Sequence, residues 1–226
     1  MKIKYYIYSF VLLCLLVTTG MVAYDVIDVV LSPKHGSWTR NLEMYKWTGI
    51  GFVAFFVLSI FFNRNLRWMA TFSHELTHTI VSLLLFRKIH SFNAGTSSGE
   101  IYTSGNSHTM IFVELAPYCL PIFTYLLLAI RMILMSDMLM YFDILIGLSI
   151  GFHTFCFWTQ TGSYQTDISN HPLFYSYLYI WTARLFNFTV ILLSYWQSKN
   201  VFTAIWYVIT NIWQKFQYFC SYMPWT

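Results

Sequence analysis

The chain has 226 residues, of which 57% are hydrophobic and only 10% are charged, with a net charge of +4. A soluble domain carries about 25% charged residues, so this composition points to an integral membrane protein. The few cations form no basic tract, which argues against nucleic acid as a partner. The four cysteines (Cys14, Cys119, Cys156, Cys220) are far apart without CxxC spacing, and read as buried thiols rather than a disulfide framework or zinc ribbon.

The N-terminal stretch MKIKYYIYSFVLLCLLVTTGMVAYD has a basic start and a long apolar run. The run is long for a signal peptide and no A-x-A site follows, so an uncleaved first span is expected over 5–23. Residues 24–45 carry Asp25, Asp28, Lys34, Arg40 and Glu43 and read as a solvated loop. Further spans are expected at 46–62, 68–86, 109–130, 139–160 and 174–196. The stretch from Val201 onward, rich in Trp and Tyr and carrying Lys215, reads as an interfacial helix. Between the third and fourth spans, SFNAGTSSGEIYTSGNSH combines alternation with glycines and predicts a small β-hairpin. The expected architecture is a single all-α polytopic domain over 1–226, with about six transmembrane helices embedded in a lipid bilayer. With six crossings, Lys2, Lys4, Arg64, Arg67, Arg131, Lys199 and Lys215 fall on one side, a slight excess that favours cytoplasmic termini.

The third span contains His74-Glu75-Leu76-Thr77-His78, the HExxH pattern. On a helix, positions 74 and 78 share one face, where two imidazoles grip one Zn²⁺ and Glu75 takes a proton from the water that zinc activates. Ionisable groups in an apolar helix are costly and usually mark a functional site. A third ligand is needed. The sequence after His78 lacks the HxxGxxH continuation of metzincins, and neither Glu100 nor Glu114 begins an E-x-x-x-[DN] pattern. That leaves Asp or His. Asp137 and Asp143 flank the start of the fifth span; Asp167 lies just beyond its end, amid His153, Gln160, Gln165 and His171. Asp167 is the preferred ligand, with helix capping as its structural alternative. His153 stands as a second-shell partner or alternative ligand.

FSHELTHTIVSLL, the Gly-rich hairpin-like segment and the downstream QTDIS resemble the site-2 protease family of intramembrane zinc metalloproteases, in its shorter, divergent bacterial form. The resemblance covers about residues 64–172. It implies zinc held by His74, His78 and Asp167, Glu75 as general base, hydrolysis of peptide bonds in membrane-protein substrates, and a bacterial cytoplasmic membrane. The chain departs from the family in having Ile168, not Gly, after Asp167, in lacking an Asn/Pro-rich signature there, and in carrying no PDZ insertion. A non-proteolytic metal-binding scaffold or transporter is the rival class.

Three further features carry expectations. Gly99, Glu100, Ile101 and Tyr102 read either as a strand whose edge can hold an extended substrate by main-chain pairing or as an ordinary polar loop. Pro117 and Pro121 should kink the fourth span, and Glu114 beside them is expected to pair with Arg184, with lining a cavity at the kink as the alternative. Gly147 and Gly151 form a G-x-x-x-G that predicts close helix packing.

Overall fold

The computed structural model describes residues 2–31, 38–95, 99–106, 109–195 and 200–221. Nine helices and one hairpin occur among them: α1 (Lys2–Leu31), α2 (Trp38–Phe61), α3 (Asn63–Leu84), β1 (Lys88–Ala94), β2 (Gly99–Ser104), α4 (Met110–Leu115), α5 (Ile122–Arg131), α6 (Leu139–Gln160), α7 (Thr166–Ser169), α8 (Leu173–Leu193) and α9 (Val201–Ser221). Single 3₁₀ turns at Ala116–Tyr118 and Ser136–Met138 link α4 towards α5 and lead into α6.

The helical membrane-type architecture and the hairpin agree with the sequence, but six spans do not. Three helical stretches, Tyr5–Val30, Ser136–Gln160 and Leu173–Leu193, are long and apolar enough to cross a bilayer; a bent pair makes up to four. The apolar part of α2 is short, Tyr45–Phe61, because Arg40 and Glu43 occupy its start. In α3 the polar residues from Asn63 to Thr79 lie too densely for a span, and the helix is amphipathic. The fourth expected span is two helices, Met110–Tyr118 and Ile122–Arg131, bent by 79°. Pro117 and Pro121 lie at this break, where each removes a main-chain donor. The sidedness inferred from six crossings falls with that count. Much of the expected 24–45 loop is also helical: α1 runs to Leu31, and α2 begins at Trp38.

The helices pack as α2 along α6, α1 along α8 and α9, and α5 against α6 and α9. One core joins Val22, Val26 and Val30 of α1 to Val190 and Leu193 of α8 and Val201, Ala204 and Val208 of α9. The buried positions of α9 recur at three- and four-residue spacing, which gives it one packed face. Lys215 of α9 pairs with Asp25 of α1 at 2.7 Å. Large apolar side chains face outward, including Ile60 at 76% and Ile133 at 83% exposure, as suits a surface bathed in lipid. Cys119 and Cys156 are buried free thiols and Cys14 is a half-buried one; Cys220 has no described side chain.

Small residues set the α2–α6 distance. A Cβ at Gly147 would overlap the Thr48 carbonyl, one at Gly51 would overlap the Ile144 carbonyl, and one at Gly151 would press on the Phe55 side chain at 2.7 Å. The obstacles at Gly147 and Gly51 are backbone, which cannot swing aside.

Helix α3 ends in a tight turn that aims the hairpin back along it. Arg87 N–H donates to Ser82 O and Phe86 N–H to Leu83 O, with Phe86 in the left-handed region at φ 55°. This is the paired-bond C-cap in which glycine is usual. Arg87 is buried and donates from Nη1 to Asn106 O (2.6 Å) and Thr109 Oγ1 (3.0 Å), tying the end of α3 to the segment that enters α4. The strands are antiparallel with Phe92 opposite Ile101 and Ala94 opposite Gly99; a bulge at His90 shifts the register.

Gly147→Ala should destabilise the protein by about 1–3 kcal/mol, the usual cost of overpacking a close contact. Thermal unfolding in detergent micelles checks this, and an unchanged midpoint would show that the α2–α6 seam tolerates a methyl group.

Candidate functional site

Helix α3 packs against the hairpin, α4 and the 3₁₀ turn at 116–118. His74 and His78 stand one turn apart with ring centroids 4.8 Å apart. Asp167 arrives from the single-turn helix α7. Ile168, wholly buried among Leu115, Tyr118, Phe157 and Ile180, anchors that turn. Ser176 Oγ donates to Ile168 O at 3.0 Å. Further along, His171 Nε2 meets Glu114 Oε2 at 2.6 Å and Asn170 Nδ2 donates to Glu114 Oε1 at 3.0 Å. The turn is thus held by the residues that follow Asp167.

Three donor atoms converge. His74 Nε2 and His78 Nε2 lie 3.2 and 3.3 Å from the same oxygen, Oδ2 of Asp167, and all three ligand atoms fall within 4.8 Å of one another. Tyr118 adds a hydroxyl that donates to that oxygen at 3.2 Å, while its ring meets His74 edge-on. Burial alone would raise the Asp167 carboxyl, but the two imidazoles beside it outweigh that and hold it well below the usual carboxylate range. Asp167 is therefore an anion at neutral pH.

The protonation pattern can be worked out from the partners. A carbonyl only accepts, so the 2.8 Å contact between His78 Nδ1 and Val113 O places a proton on Nδ1. A neutral His78 then turns a bare Nε2 lone pair toward the Asp167 anion. Two acceptors at 3.3 Å need a cation between them, either a second proton on the ring or a metal ion. His74 Nδ1 is buried and has no hydrogen-bond partner among the described residues. Two imidazoles and one carboxylate are the donor set and number of a catalytic zinc site, and the carbonyl behind His78 is the kind of second support such ligands use.

Glu75 follows His74 on the same helix and is 6% exposed. Among the described residues no hydrogen bond ends on its carboxylate, which leaves it free to accept a proton. The start of β2 closes over it: a Cβ at Gly99 would stand 2.5 Å from Glu75 Cγ and Oε1. Only glycine allows this approach. Gly99, Glu100, Ile101 and Tyr102 all lie on β2, with Glu100 and Tyr102 exposed. The sheet has two strands, so one edge of β2 pairs with β1 and the other meets no strand among the described residues.

His153 lines a narrow cleft with His74 but is not in the three-residue cluster; its Nε2 lies 3.4 Å from Arg184 Nη1. Asp143 pairs with Arg131 at 2.7 Å. Glu114 does not pair with Arg184 as the sequence led us to expect. It bonds Asn170 and His171, because the bend at 119–121 turns α4 toward α7 while Arg184 packs 3.7 Å over the Phe157 ring. The contribution of Tyr118 carried no sequence signal beyond its place between two prolines.

No protein-family profile matches this chain, and neither does any curated protein or solved structure.

Glu114→Ala should leave the His171 and Asn170 side chains without their partner. The expected loss is about 1–3 kcal/mol, as for other stranded buried polar groups. Chemical denaturation in micelles measures it, and stability equal to wild type would mean that the 114–171 contact does not hold α7 in place.

Proposed function

We propose that this protein is a membrane-embedded zinc endopeptidase of the site-2 protease type. His74, His78 and Asp167 hold the metal, and Glu75 serves as general base. The observation that carries this reading is the meeting of two imidazole nitrogens on one carboxylate oxygen, with a buried glutamate on the same helix turn. When bound, zinc lowers the pKa of water to about 7 and polarises a carbonyl oxygen. Glu75 accepts the proton of the attacking water and returns it to the leaving amine. Asp167 and the two histidines stay fixed throughout, braced by Tyr118, Val113 O and the anchored α7 turn.

Substrates in this reading are membrane-associated protein segments. A helical segment hides its peptide bonds, so it must be unwound and held extended before hydrolysis. The unpaired edge of β2 supplies main-chain donors and acceptors beside Glu75, and Gly99 lets that edge approach. Three to four apolar helices support a membrane protein; in this reading it is multi-pass and sits in a bacterial cytoplasmic membrane, with α9 at the bilayer interface. A scaffold that held metal for structure alone would need the three ligands but no free glutamate beside them. Glu75 is what favours the hydrolase.

Metal analysis of the purified protein by mass spectrometry tests the ligand set. One zinc per chain is expected in wild type, with loss in both His74→Ala and Asp167→Ala. Zinc lost with His74 but kept with Asp167→Ala would move the third ligand elsewhere, and zinc-free wild type after zinc supplementation would remove the metal altogether. Glu75→Gln should keep zinc while cleavage of a membrane-protein substrate falls by at least 100-fold. Full activity in Glu75→Gln would end its role as the base.

A further inference from the structure

A second feature lies at the 119–121 break, whose Cys119 and Pro121 line it. A groove of about 550 Å³ opens between α1, α6 and α8, lined by Leu16, Ile150, Phe188 and Ile191 and other apolar side chains. Its polar lining is His153, Thr154, Arg184 and Asn187. Trp181 and Phe188 stand at the rim, each about half exposed.

Arg184 is midway along α8, one of the three helices apolar enough to cross a bilayer. A cation at that depth normally meets an anion. Three carboxylates are otherwise engaged: Glu114 with His171, Asp143 with Arg131, and Asp167 with the two histidines. Among the described residues no carboxylate pairs with Arg184. Its hydrogen bonds all leave from one nitrogen, Nη1, to Tyr118 O at 3.3 Å and His153 Nε2 at 3.4 Å. Its other face rests on Phe157. The Nε and Nη2 donors remain available, and a guanidinium edge is shaped to take a carboxylate through two parallel bonds.

Size decides what the groove can hold. A helix of about 10–12 Å diameter would fill this volume in about one turn, so it does not admit another protein's span. Small-molecule sites run to about 300–1,000 Å³, and one flexible acyl chain falls in that range. We propose that this groove binds a long-chain fatty acid, with its carboxylate on Arg184 and its chain along the apolar walls of α1, α6 and α8. The site is separate from the His74–His78–Asp167 cluster and does not depend on what that cluster does.

The test is equilibrium binding of radiolabelled palmitate to the full chain in dodecylmaltoside micelles, with hexadecanol as a competitor of the same length and no charge. One saturable site per chain is expected, with hexadecanol at least tenfold weaker than unlabelled palmitate. Arg184→Gln should weaken palmitate at least tenfold and Arg184→Lys should restore part of that loss. Thr154→Trp keeps Arg184 but fills the groove from α6, and should also abolish binding; with the wild-type comparison it carries the test if Arg184→Gln does not fold. His74→Ala and Glu75→Gln should bind palmitate as wild type does, so this proposal and the hydrolase reading fail separately. Equal competition by hexadecanol, or unchanged binding in Thr154→Trp, would reduce the effect to partitioning and overturn the site. Arg184-dependent binding of an apolar helical peptide carrying one glutamate, with no palmitate binding, would make the occupant a protein segment instead.

Discussion

A carbonyl oxygen cannot donate a hydrogen bond, and much of this site follows from that. The Val113 carbonyl fixes the proton of His78 on Nδ1, which turns Nε2 toward Asp167. The carboxylate is in turn kept anionic by its neighbours, so a positive centre belongs between them. For this to work, Val113 O must reach one nitrogen of the His78 ring and Asp167 on α7 the other. The 79° bend between α4 and α5 meets both needs, because it lets a short helix run beside α3 where a straight span would have run past it.

The parts legible in the sequence are those governed by local spacing. The i, i+4 histidines had to share a face once the segment was helical. The alternation at 99–104 became a strand, the two prolines became a break, and Gly147 and Gly151 marked the tight seam with α2. Asp167 could be singled out as a candidate because Glu100 and Glu114 lacked the zincin pattern and because it sits in the densest polar cluster after the HExxH helix, and the structure sets it beside both histidines. What could not be read was pairing across distance. Glu114 and Arg184 looked like partners because each was a lone charge in an apolar run; the bend sent them to different neighbours. Tyr118 and Val113 O act through positions in space that no spacing rule reaches. The count of spans failed for another reason. Apolar content alone does not distinguish a crossing helix from one that packs on a single face, and α3 is of the second kind.

The buried charges divide into two sorts. Arg131 with Asp143 and His171 with Glu114 are closed pairs whose partners come from neighbouring elements, and they hold helices in place. A buried pair of this kind is weak evidence for net stability but is costly to break from one side. Asp167 and Arg184 are different. Asp167 gathers three groups on one oxygen, and Arg184 rests on an aromatic ring and a carbonyl. Tyr118 stands between them, its hydroxyl on one and its carbonyl on the other.

Val113 and Glu114 are adjacent in sequence, yet one holds His78 through its main chain and the other holds the end of α7 through its side chain. Because α4 is only six residues long, neither hold can shift without the other. Changes that reorient this helix will therefore move His78 and the α7 turn together, and substitutions around it should show epistasis: a replacement that harms the site alone can be rescued by a second one on α7 or α3 that follows the same displacement.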